Sequence, residues 1–131
     1  MLRVLVVEDN TLVAKFYRLA LERAGGYEVT CSEDVDAILA QVAASSFDVL
    51  ILDVSLRNCR YQGRMIDGLE LARLIRQLPA GESLPILLAT AHAMEGDRQR
   101  LLAASGANAY LEKPVYDPHI LVSKIQELLG R

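Results

Sequence analysis

Cysteine is scarce in this 131-residue chain: Cys31 and Cys59 lie far apart, without C-x-x-C spacing or paired histidines nearby. That argues against a zinc site and against a disulfide framework, and leaves two free thiols as the expectation. Long apolar runs are missing too, since none approaches the ~18 residues of a membrane helix. No charged leader precedes a long apolar stretch, because a short strand begins almost at once. A cytoplasmic protein without membrane association is therefore expected. Positive charge is not in excess either: 14 Lys and Arg stand against 17 Asp and Glu, for a net charge of −3. Such a balance leaves no electrostatic footprint for direct nucleic-acid binding. The phosphate-cradling motifs G-x-x-x-x-G-K-[ST] and G-x-G-x-x-G do not occur, and there is no internal repeat, low-complexity tract or interdomain linker.

What the chain does have is alternation. Hydrophobic residues make up 52%, enough for one domain with a sound core over residues 1–131. Short β-branched or leucine-rich runs alternate with segments of helical period, the signature of a parallel sheet covered on both faces. Five strands are expected near Arg3–Val7, Glu28–Cys31, Val49–Asp53, Ile86–Thr90 and Ala109–Glu112, the third and fourth apolar enough for central positions. The first helix should start after Asn10 as N-cap, bury Leu12, Phe16, Leu19 and Ala20, and end at Gly25-Gly26. Val35, Ile38, Leu39 and Val42 give a second helix its stripe, and Leu71, Ile75 and Leu78 a third, closed by Pro79 and Gly81. Gly106 should end the fourth. Asp117-Pro118 opens the fifth, with Leu121, Ile125 and Leu128 inward and Gly130 at its end. The segment from Val54 to Asp67 reads as a βα loop of unusual length, polar through its middle.

Glu8 and Asp9 follow the first apolar run directly, and Asp53 ends the third. In an open α/β sheet, ligands collect at the carboxyl edge of the strands, so these groups should share one crevice and form an acidic pocket for a cation. Thr90-Ala91 and Lys113-Pro114 complete a set of polar groups, one at each of four strand ends.

This ordered constellation, acidic pair, then Asp, then Thr-Ala, then Lys-Pro, resembles the response-regulator receiver domain of two-component signalling, over essentially the whole chain. The resemblance implies a flavodoxin-like, doubly wound (βα)5 fold with strand order 2-1-3-4-5. It implies that Asp53 is the phospho-acceptor, attacking the phosphorus of a phosphohistidine on a sensor histidine kinase or histidine phosphotransfer protein. Phosphoryl transfer rests on positioning and charge neutralisation, so clustered carboxylates need a divalent cation. Mg²⁺ suits hard oxygen ligands. Asp9, Asp53 and the backbone carbonyl of Ser55 are its implied ligands, with Glu8 acting through water. Thr90 would donate its hydroxyl to a phosphoryl oxygen, and Lys113 would supply a cation, aimed by a cis bond to Pro114. Tyr110 holds the position of the family's switch aromatic and would move with Thr90. Ser55 and His92 each stand two residues past a motif residue, where side chains flank the phosphoryl group. The output surface would be the fourth helix, fifth strand and fifth helix, open to a downstream protein target or to a second copy in a homodimer.

Two departures stand out. Arg57 fills a position where the family usually carries proline, and 15 positions separate Asp53 from Gly68, about twice the usual interval. The extra segment Asn58–Arg64 is basic and contains Tyr61. It reads either as a tolerated surface insertion or as a selector of the partner kinase. Competing functions fare worse. A phosphatase of the haloacid-dehalogenase type needs a second Asp two residues after the first, and Ser55 stands there. No enzyme activity beyond self-catalysed phosphorylation and dephosphorylation is expected. A receiver-like module that binds partners without being phosphorylated is the main alternative, yet such modules typically lose an acidic residue or the lysine.

Overall fold

Side chains alternate between the two faces of a strand, so a strand buried on both sides must be apolar throughout. Val49–Asp53 (β3) and Ile86–Thr90 (β6) meet that condition up to their last residues, Asp53 and Thr90, and every residue of both is buried. In this computed structural model, which describes residues 1–91 and 95–130, they lie at the centre of a five-stranded parallel sheet. The others are Arg3–Val7 (β1), Glu28–Cys31 (β2) and Ala109–Glu112 (β7), in the order β2-β1-β3-β6-β7. Leaving out a small hairpin between β3 and β6, this is the order 2-1-3-4-5.

The helices divide by the face they cover. Thr11–Gly25 (α1) and Pro118–Leu128 (α5) pack with Val4, Val6, Ile51, Leu87, Ala89 and Leu111. Val35–Ala43 (α2), Gly68–Gln77 (α3) and Glu95–Ser105 (α4) cover the side carrying Leu5, Val7, Leu50, Leu52, Ile86 and Leu88. Asn10, Asp34, Asp67 and Asp117 cap α1, α2, α3 and α5, each accepting from a backbone N–H of the first turn. Gly26 closes α1 with φ of 68° in the left-handed region, where glycine carries no Cβ penalty.

The inward face of α1 differs from the sequence expectation. Leu12 is 78% exposed, whereas Tyr17, Ala20 and Leu21 are buried and Phe16 and Leu19 are half-buried. Apolar residues cover so much of this helix that the stripe has no unique phase in the sequence.

The segment after β3 is also not a plain polar loop. Arg60–Tyr61 (β4) and Arg64–Met65 (β5) pair antiparallel across Gln62-Gly63, both at positive φ, 52° and 78°. That is the backbone of a type I′ two-residue hairpin turn. Leu56, Cys59 and Ile66 turn inward and join the core, the Cys59 thiol donates to the Glu33 carbonyl at 3.5 Å, and Tyr61 packs against the same cluster. Both cysteines are free thiols.

Arg76 is a structural residue the sequence did not single out. Its guanidinium donates to the carbonyls of Gly106 (2.9 Å), Gly81 (2.8 Å) and Leu84 (2.5 Å) and to Asn108 Oδ1 (2.8 Å). Asn108 Oδ1 in turn accepts from the Ile86 amide at 2.9 Å. One side chain thus ties the end of α3 to the turns that feed β6 and β7.

Candidate functional site

The register decides which residues meet. Val7 lies beside Leu52, Asp53 beside Ala89 and Thr90 beside Glu112, so the residues that end these parallel strands reach one edge together. Oxygens of Glu8, Asp9 and Asp53 come within 4.8 Å of one another. Glu8 and Asp53 are each only 5% exposed, while Asp9 is half-buried. The three line a cleft of about 420 Å³ with Asn10, Ser55, Arg57 and Lys113.

Each carboxylate is held. Glu8 Oε2 accepts from the Asn10 N–H at 3.2 Å, Asp53 Oδ1 from the Ser55 N–H at 3.3 Å, and Asp9 Oδ2 from the Arg57 N–H at 3.0 Å. The Lys113 ammonium stands 2.8 Å from Glu8 Oε1 and 3.5 Å from Asp53 Oδ1. The Lys113–Pro114 peptide bond is cis. Burial pushes the Glu8 carboxyl above the usual carboxylate range, although the bonds from Lys113 and Asn10 pull the other way. Burial also disfavours the charged form of Lys113, but the hydrogen bond to Glu8 and the charge of Asp53 outweigh it and hold its pKa above the ordinary lysine value.

Gly68 lets α3 approach the end of β3. A Cβ built there would lie 1.9 Å from the Asp53 carbonyl oxygen, and the Gly68 N–H donates to the Val54 carbonyl at 3.1 Å. Only a glycine fits that approach.

Thr90 is 1% exposed at the end of β6, and its carbonyl accepts from the Lys113 N–H at 2.8 Å. Tyr110 is half-buried, with the guanidinium carbon of Arg98 4.3 Å from its ring centroid. His92 lies outside the described residues. The Arg57 amide at Asp9 is the polar contact of the cleft that the sequence did not disclose. Its trace there was a non-proline residue where proline was expected.

Residues 4–126 match the family model of the response regulator receiver domain. The chain belongs to that family. This receiver domain is 35% identical over 129 residues to the phosphate regulon transcriptional regulatory protein PhoB of Rhizobium meliloti (strain 1021), covering 98% of its own length and 52% of that regulator's. It thus spans about half of that relative. It superposes with a TM-score of 0.80 on chemotaxis response regulator CheY4 of Vibrio cholerae, at 29% identity and 98% coverage of both chains. A second solved structure is the receiver domain of sensor histidine kinase PA1611 from Pseudomonas aeruginosa PAO1, with a TM-score of 0.80, 30% identity and coverage of 99% of this chain and 98% of that one. That protein coordinates a magnesium ion in its active site cleft. Relatives of both kinds place the chain in two-component phosphorelay signalling.

Proposed function

We propose that residues 1–131 form a single receiver unit, a switch that takes a phosphoryl group on Asp53 and passes the signal on through a changed surface. The observation that carries this reading is the convergence of the Glu8, Asp9 and Asp53 carboxylates within 4.8 Å, with one lysine ammonium bridging Glu8 and Asp53. Hard oxygen donors packed so closely fit Mg²⁺. Asp9, Asp53 and the Ser55 carbonyl would hold it, with Glu8 acting through water; when bound, it neutralises charge on the phosphoryl oxygens.

The Asp53 carboxylate attacks phosphorus, so that a P–O bond forms as the P–N bond of a partner's phosphohistidine breaks and the imidazole leaves. Lys113 turns from the carboxylates toward a phosphoryl oxygen, and the Thr90 hydroxyl donates to another. Tyr110, capped by Arg98 at the surface, follows Thr90 inward as the second packing gains population. The changed face comprises α4, β7 and α5, where a downstream protein or a second copy docks. The phosphodonor is a sensor histidine kinase or histidine phosphotransfer protein, met in the cytoplasm, and the chain turns over no external substrate. A module that is never phosphorylated is the weaker reading, because the acidic residues and the lysine are all present.

Intact-mass analysis after incubation with acetyl phosphate and Mg²⁺ tests the proposal. One phosphate adduct is expected, absent in Asp53→Asn and absent without Mg²⁺. An adduct that persists in the variant would overturn it.

A further inference from the structure

Most arginines of this chain are engaged. Arg3 pairs with Asp48, Arg64 with Glu70 and Arg100 with Asp97; Arg98 lies over Tyr110, and Arg76 ties the end of α3 to the turns before β6 and β7. The guanidinium groups of Arg23, Arg57 and Arg60 have no hydrogen-bond or ion-pair partner among the described residues, and of these three Arg57 lines the acidic cleft. Its backbone is fixed at the rim. The Arg57 N–H holds Asp9, Leu56 and Cys59 are buried on either side, and the Cys59 carbonyl accepts from the Ile66 N–H at 2.9 Å. A proline here would have no N–H to give Asp9. Arginine therefore supplies two things at this position, an amide for a carboxylate and a long cationic side chain rooted at the mouth.

The charge balance of the cleft shows what that cation can do. Three carboxylates face one ammonium, so an anionic phosphoryl donor meets net negative charge as it approaches. A planar guanidinium, with donors matched to phosphate oxygens, offsets that repulsion. The same charge opposes a divalent cation bound among the carboxylates. We propose that Arg57 is a specificity-determining residue, which recognises the phosphoryl group of the incoming donor and favours donors of higher negative charge. The inference rests on the reading of Asp53 as acceptor.

At roughly 7 Å in a watery cleft, each unit of charge changes an equilibrium by about threefold. Arg57→Ala keeps the amide and removes the cation. Labelling by acetyl phosphate, a dianion, should then slow by roughly three- to tenfold. Labelling by phosphoramidate, which carries an ammonium on its phosphoryl group, should slow by less than about threefold. Added salt should narrow the gap between wild type and variant. Mg²⁺ affinity, read by calorimetry without any donor, should rise by roughly three- to tenfold, while Arg57→Lys keeps most of the wild-type behaviour. A merely structural role would lower donor use and Mg²⁺ affinity together, and that result would overturn the inference, as would rates and affinity unchanged within error. If wild type takes no phosphate at Asp53 from either donor, the acceptor reading itself has failed, and this inference falls with it.

Discussion

Gly68→Ala is the substitution through which fold and site can be tested together. The added Cβ would sit 1.9 Å from the Asp53 carbonyl oxygen, 2.8 Å from its carbonyl carbon and 3.0 Å from Val54 Cα. All three are backbone atoms at the buried end of β3 and the residue after it, which cannot swing aside as a side chain would. Relief requires α3 and β3 to separate by roughly 1 Å, which stretches the bond from the Gly68 N–H to the Val54 carbonyl. Overpacking of a tight interior costs typically 1–3 kcal/mol, and loss of good geometry in one buried hydrogen bond adds about 1 kcal/mol. Alanine returns at most about 1 kcal/mol through helix propensity. The net expectation is a loss of about 1–4 kcal/mol in urea unfolding, with the amide NMR signals of Asp53 and Val54 displaced. Gly96→Ala is the control, because nothing lies within 4 Å of a Cβ at Gly96 in α4; it should be neutral or stabilising by about 0.5 kcal/mol. A Gly68→Ala protein within about 0.5 kcal/mol of wild type, with those signals unmoved, would refute the reasoning.

Tyr17 is 1% exposed, and its hydroxyl has no hydrogen-bond partner among the described residues; Tyr17→Phe should therefore be neutral or stabilising by up to about 1 kcal/mol in urea unfolding, and a loss of more than about 1 kcal/mol would show the hydroxyl to be satisfied. The Arg3 hydrogen bond holds the Asp48 carboxyl below its ordinary range, so the pair contributes stability above the unfolded pKa, which is lost as pH falls through the folded value. Thermal unfolding from pH 7 downward should show Asp48→Asn losing less stability than wild type below about pH 4; parallel curves would count against it. Ile66 is 2% exposed in the long segment between β3 and α3, whereas Arg60 is exposed; Ile66→Ala should cost about 2–4 kcal/mol and Arg60→Ser less than about 0.5 kcal/mol, and equal effects would contradict the view that this segment contributes to the core.

The sheet was legible chiefly because its central strands are buried on both faces. Runs such as Val49-Leu50-Ile51-Leu52 admit few other readings, and Asp53 at the end of one is conspicuous. Glu8, Asp53 and Thr90 were legible for the same reason, since each follows an apolar run directly, whereas Lys113 comes after Glu112 and stood out by its pairing with Pro114. Helix phase was harder. In α1 the pattern favoured Leu12, which the structure leaves in water, over Tyr17 and Leu21, because nearly every side of that helix carries an apolar residue. The hairpin escaped notice because its strands are two residues long and its turn uses Gln62-Gly63 instead of the usual Asn-Gly. Arg76 and the Arg57 amide were invisible in the sequence, since their partners are backbone groups and side chains brought near only by the fold.

The role proposed for Asp53, as the residue that carries the phosphoryl group, is open to a direct chemical test. Acyl phosphates are reduced by borohydride, which converts a phosphorylated aspartate into homoserine and leaves free carboxylates untouched. Peptide mapping after acetyl phosphate, Mg²⁺ and borohydride should find homoserine at position 53 and nowhere else. Homoserine at position 9, the corresponding reduced glutamate (2-amino-5-hydroxypentanoic acid) at position 8, or neither product anywhere while an intact-mass adduct persists, would contradict the assignment.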